Sequence, residues 1–150
     1  MKSGRMALAL ALVAVLACGA DSAVGPSTLS YAVATGSCAP NDGPAVALLL
    51  SASPIVSLSP TGPYVAVNVW EPLGALAGQS LSVASGASLG FGVYYKTAGI
   101  NEGASEGTLT VTSVAADSTV TGIVDLTFPT SGHVSGPFTA KWIPRTFLCG

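Results

Sequence analysis

Charge is what this sequence has least of. Five Lys/Arg and seven Asp/Glu make 8% of its 150 residues, where an ordinary soluble domain carries about 25%. So few bases cannot build the positive stripe that nucleic acid requires, and there is no acidic tail. Histidine occurs once and cysteine three times, a poor supply for a zinc site that needs about three or four ligands. Helix signatures are equally scarce, with no run of Leu, Glu, Lys and Arg typical of a bundle. Glycine (18) and proline (10) are abundant but follow no collagen period. No apolar stretch reaches the roughly 20 residues that cross a bilayer as a helix. What remains is a chain of one-domain length, 49% hydrophobic, with enough apolar residues for a core.

The N-terminus is organised differently from the rest. Lys2 and Arg5 precede a 12-residue apolar run at 6–17 (MALALALVAVLA), the n-region and h-region of an export signal, so residues 1–17 read as a signal peptide. The run closes on Val15-Leu16-Ala17-Cys18-Gly19, which resembles the lipobox of bacterial lipoproteins. The resemblance covers the first 19 residues. It implies cleavage before Cys18 and a diacylglycerol group on that sulfur. Gly19, in place of Asp, further implies the outer membrane where the cell has two. The alternative is an ordinary secretory leader cut at a small residue such as Ala20, with Cys18 discarded. Both readings export the chain. Cysteine parity favours the lipid: with Cys18 acylated, Cys38 and Cys149 remain as one pair, expected to be disulfide-bonded in an oxidising compartment. Residues 18–27 then comprise the lipidated Cys and a flexible tether; its small polar part, 20–27 (ADSAVGPS), reaches at most about 28 Å.

Residues 28–150 read as a single all-β domain. Leu109 and Val111 alternate with Thr108, Thr110 and Thr112, the pattern of a half-buried strand. Val120, Val124, Leu126 and Phe128 share one parity, as do Val134, Phe138, Ala140 and Trp142. The Pro129-Thr130-Ser131-Gly132 turn between them predicts a hairpin. Phe91, Val93 and Tyr95 mark another strand, and 29–35, 46–51, 64–70 and 81–84 are further candidates. Residues 99–107, rich in glycine, read as a separator, 72–77 as one helical turn, and Pro137 as the mark of an edge strand or bulge. About eight short strands at this spacing predict an antiparallel β-sandwich or barrel. The C-terminal stretch from about Gly107 to Cys149 resembles a β-hairpin of uncharacterised bacterial envelope lipoproteins, in which two strands with a Val-x-Gly start lead to a final Cys. That resemblance implies a fold and no chemistry.

Catalytic signals are weak. Gly103-Ala104-Ser105-Glu106-Gly107 matches G-x-S-x-G, and Asp117, Asp125 and His133 follow in hydrolase order. A nucleophile elbow needs a strand before the serine and a helix after it, whereas here a polar loop precedes and a strand follows. Glu102, Glu106, Asn101 and Ser105 could offer oxygens to calcium, but their spacing matches no established loop. No catalytic residue, metal site or cofactor is therefore assigned. Aromatic side chains are the better binding candidates. Tyr94 and Tyr95 are adjacent on a strand and point to opposite faces, one inward and one outward. Trp70 and Tyr94 are the candidates for exposed recognition of a sugar or peptide. The sequence thus reads as a non-catalytic envelope lipoprotein, a structural or interaction module. Its expected partners are the membrane through Cys18 and an envelope protein or glycan, with no nucleic acid. A carbohydrate- or peptide-binding module is the alternative, and a secreted hydrolase the third.

Removing the leader changes the composition. From Cys18 onward, Lys96, Lys141 and Arg145 face seven acids, a formal charge of −4, and 30 of the 133 residues are Ser or Thr. Hydroxyls rather than charges solvate this surface.

Overall fold

Alternation of apolar residues with Ser and Thr writes several of the strands, and the computed structural model describes residues 29–97, 99–146 and 148–149. The chain is all-β. Its strands are β1 (Tyr31–Cys38), β2 (Pro44–Ser51), β3 (Tyr64–Val69), β4 (Ser80–Ser82), β5 (Gly90–Thr97), β6 (Ile100–Gly103), β7 (Glu106–Val114), β8 (Val120–Phe128) and β9 (Gly132–Ile143). They form one nine-stranded sheet in the order β4-β7-β8-β9-β1-β2-β3-β5-β6. In β8 the alternation is complete: Val120, Gly122, Val124, Leu126 and Phe128 are buried, and the residues between them face outward. The candidate helix at 72–77 becomes a single 3-10 turn, Leu73–Ala75, with Pro72 at its N-cap. Leu76, fully buried, then packs into the core.

Two expectations are corrected. The sheet is mixed rather than antiparallel throughout, because β1 and β9 run parallel, with Val33, Ala34 and Thr35 opposite Lys141, Trp142 and Ile143. Nothing local writes such a pairing; it joins strands at opposite ends of the chain. The seam is short, and Thr35 Oγ1 adds a 2.9 Å hydrogen bond to the Ile143 carbonyl. The ninth strand, β6, lies inside the segment read as a separator. Its sequence, Ile-Asn-Glu-Gly, has no apolar alternation, and pairing with β5 makes it a strand. Pro137 sits within β9 opposite Ile123, but β1 pairs only with residues 141–143, so at Pro137 the strand has one neighbour.

The sheet curls into a half-barrel around its core. β6 leads through Ala104 and Ser105 directly into β7, so two strands from opposite sides of the sheet are one stretch of chain. Residues 83–85 bridge this corner: Gly92 N–H donates to the Val83 carbonyl (2.7 Å), and Ser85 N–H to that of Ala104 (2.8 Å). A Cβ on Gly92 would meet the Leu126 side chain at 3.2 Å, so β5 approaches β8 closely across the interior. The core gathers Leu48, Leu50, Val65, Val67, Leu109, Leu126 and Phe128, all essentially inaccessible. Trp142 and Leu29 pack on its margin.

This topology gives the sheet two ends. At the first lie Tyr31, the 52–63 loop, the turn between β5 and β6 and the β8–β9 turn. At the second lie the β1–β2 turn with Asp42, Trp70 and Glu71 after β3, and the β7–β8 turn with Asp117.

Candidate functional site

Cys38 and Cys149 are joined by a disulfide across 111 positions, Cα to Cα 5.6 Å. It staples the segment following β9 to the end of β1, extending the three-pair parallel seam covalently. Cys18 lies outside the described residues.

Of the two aromatic candidates, the structure divides the roles. Tyr94 is only 6% exposed and packs its ring against Phe128 at 5.7 Å, so it belongs to the core rather than to a recognition surface. The inward parity of β5 is Gly90, Gly92, Tyr94: two glycines leave the room that one tyrosine fills. Tyr95 takes the outward position and stacks on Tyr64 of β3, centroids 4.6 Å apart at 11°. Trp70 is half-buried at the second end and tilts against Phe91 at 6.1 Å. It lines an open groove of about 420 Å³ together with Pro40, Asn41, Glu71, Ser88 and Leu89. The Trp70 backbone N–H is tied to the Leu89 carbonyl (2.8 Å), which fixes the indole's attachment to the groove wall. An aromatic face flanked by an amide, a carboxylate and a hydroxyl can stack on a ring and hydrogen-bond its substituents. Leu89, itself exposed, continues the apolar side.

A second cluster has no obvious signal in the sequence. Glu102 of β6 accepts hydrogen bonds from the Thr130 backbone N–H, the Thr130 hydroxyl (3.0 Å) and the Ser131 hydroxyl, and pairs with Lys96 Nζ at 3.1 Å. Lys96 Nζ also donates to Thr130 Oγ1 (2.8 Å). The carboxylate side chain is 13% exposed. Burial opposes its ionisation, but the bonds from Ser131, Thr130 and Lys96 outweigh that and hold it at about 2. This network locks the β8–β9 turn to β5 and β6 across the first end of the sheet. Every carboxylate oxygen is already engaged, so its visible role is mechanical. Only the loop identity of Thr130-Ser131 and the isolated Lys96 hinted at it; their meeting requires the fold.

Of the hydrolase candidates, His133 and Asp125 meet, while Ser105 and Asp117 bond elsewhere. Ser105 donates its hydroxyl to the Thr127 carbonyl (3.1 Å), and β7 follows it. His133 Nε2 lies 3.0 Å from Asp125 Oδ1, and Ser135 donates to the other oxygen of the same carboxylate (3.2 Å). Both side chains of the His133–Asp125 pair are more than half exposed. The His133 bond, against some desolvation, holds the Asp125 carboxyl below its ordinary range. Asp117 is separate, accepting from the Thr119 backbone N–H (3.0 Å) in the β7–β8 turn. Glu106 is exposed at the start of β7 and does not join Glu102's bonds. Among the described residues no three His, Cys, Asp or Glu side chains gather to hold a metal ion. Compared with known protein families, curated proteins and solved structures, the chain matches none.

Proposed function

We propose that this chain is an exported lipoprotein, lipidated at Cys18, whose β domain is a non-catalytic structural or interaction module of the cell envelope. The carrying observation is the bond between Cys38 and Cys149, which uses two of the three cysteines and leaves Cys18 in its lipobox-like setting. A disulfide persists in an oxidising compartment, and the leader's composition supports export to one. Outer-membrane residence follows from Gly19 where two membranes exist. The hydroxyl-rich, weakly charged surface suits a module that binds by shape and hydrogen bonds rather than by a charge field. The fold is a barrel-type sheet rather than two packed sheets; its support is the unbroken strand order and the bridge at residues 83–85. Mass analysis of the N-terminal peptide tests the anchor: a cleaved chain starting at Cys18 with a diacylglyceryl thioether is expected. A chain starting elsewhere overturns the lipoprotein reading.

One observation favours the binding alternative in a specific form. The Trp70 groove, with Asn41, Glu71 and Ser88 around an indole, suits a neutral sugar ring or a short peptide. Titration with cell-wall glycan fragments, followed by indole fluorescence, tests it. Saturable quenching lost in Trp70→Ala supports the reading, and a Trp70→Ala response equal to the parent's removes it.

A further inference from the structure

The first end of the sheet carries an apolar rim. Val56, at the tip of the 52–63 loop, is 95% exposed. Ile100, at the start of β6, is 57% exposed, and Tyr31, at the start of β1, is 44% exposed. Tyr64 and Tyr95 stand between them, and the 52–63 loop shares a pocket with these tyrosines and the β5–β6 turn through Pro60, Thr61 and Gly99. Three of the four tyrosines in the chain thus lie at this end, the fourth being Tyr94 in the core. The 52–63 loop, the 97–100 turn and the 129–131 turn contain no charged residue. Of the charges near this end, Lys96 and Glu102 are spent on each other and on Thr130, Asp125 is paired with His133, and Glu106 stands exposed at the start of β7 opposite Thr127. The second end also exposes Leu89 and Leu148, but its turns carry Asp42, Glu71 and Asp117.

The chain preceding Leu29 joins the domain at this same end, because β1 starts there. From that placement and the exposed rim we infer that Val56, Ile100 and Tyr31, with the stacked Tyr64–Tyr95 pair, form a membrane-contacting surface that seats the domain on the lipid interface. The inference rests on the lipoprotein reading for the anchor, and the occupant it commits to is the bilayer. The 11 steps from Cys18 to Leu29 reach at most about 40 Å, which keeps this end near the membrane, so the rim meets lipid at a high effective concentration. Tyrosines suit the headgroup level and aliphatic tips suit the acyl boundary, while no unpaired charge from the loops must be dehydrated. The acidic turns and the Trp70 groove then face away from the membrane, toward the rest of the envelope.

The test places an environment-sensitive nitrobenzoxadiazole dye at Val56→Cys, or at Ala116→Cys in the exposed β7–β8 turn, in the mature protein purified from cells. Each is reconstituted into vesicles of phosphatidylethanolamine and phosphatidylglycerol containing a lipid with a nitroxide near its headgroup. The dye at 56 is expected to lose about half or more of its emission, and the dye at 116 to be unaffected. Adding Ile100→Asp to the Val56→Cys protein is expected to weaken that quenching. Equal quenching at both positions, or none at 56, overturns the inference; a blue shift at 56 without quenching assigns the rim to contact between copies of this chain and also overturns it. The mass of the N-terminal peptide reads the anchor separately. If Cys18 carries no lipid, the same dye added with the protein to preformed vesicles still decides the surface.

Discussion

Two glycines in near-identical sequence settings should respond oppositely to the same substitution. Gly122 lies in Val120-Thr121-Gly122 on β8, and Gly136 in Val134-Ser135-Gly136 on β9. A Cβ on Gly122 would stand 2.2 Å from the Thr110 carbonyl oxygen and 2.9 Å from Phe138 Cζ. The Phe138 ring can turn aside, but the carbonyl is backbone of β7, so the two strands must separate by about 1 Å to reach ordinary contact. That movement strains the β7–β8 ladder where Val111 faces Gly122, next to the irregularity between Val111 and Ser113. Overpacking costs about 1–3 kcal/mol, and each weakened ladder bond adds about 0.5–1.5 kcal/mol. Gly122→Ala is therefore expected to lose about 2–5 kcal/mol. Around Gly136 nothing lies within 4 Å of the added carbon, and its φ lies outside the left-handed region. Gly136→Ala should be neutral or stabilising by up to about 1 kcal/mol, through the entropy of the unfolded chain. Urea unfolding followed by the fluorescence of Trp70 and Trp142 measures both. Thermal melts should show a drop of roughly 10 °C for the first variant and almost none for the second. Equal effects, or a larger loss at Gly136, would refute the close approach of β7 to β8 on which the reasoning stands.

Removing the disulfide by Cys38→Ser with Cys149→Ser should lower stability by up to about 4.7 kcal/mol in the chain-entropy view of a 111-position loop, and fray the parallel seam first. Amide exchange at residues 33–35 reads the fraying, and an unchanged unfolding midpoint would contradict it. Glu102→Gln should cost about 1–2 kcal/mol, since an amide cannot accept from every donor at that site. Because the Glu102 carboxyl titrates at about 2 when folded and at 4.5 otherwise, its contribution is complete above 4.5 and disappears as pH falls toward 2. The gap between wild type and Glu102→Gln should narrow over that window; parallel urea midpoints from pH 5 downward would exclude the network. Tyr94→Ala should destabilise by about 3–5 kcal/mol, as large-to-small core changes do, whereas Trp70→Ala should change stability by far less and act on ligand binding. Equal losses of stability would erase the distinction between core and groove.

Period-two alternation made β7, β8 and β9 legible, because their buried residues are apolar or Gly and hydroxyls recur among the outward ones. Cysteine parity likewise pointed to the Cys38–Cys149 pair before any coordinates. Alternation says which residues share a face, but it cannot say which face is inside when both are aromatic. For that reason Tyr94, a recognition candidate from sequence, turns out to be core, while Tyr95 stacks outside. The Glu102 network joins a strand to turn residues 28 and 29 positions away, and no local pattern encodes that meeting.

The scarcity of charge and the strand-forming pattern are properties of composition and short-range order, so the sequence alone determined them. The parallel join of β1 to β9, the bond between Cys38 and Cys149, the identity of β6 as a strand, and the gathering of Tyr31, Tyr64 and Tyr95 at one end depend on contacts between distant segments. Those were decided only when the curled sheet brought them together, because long-range pairing energy, not local propensity, selects them.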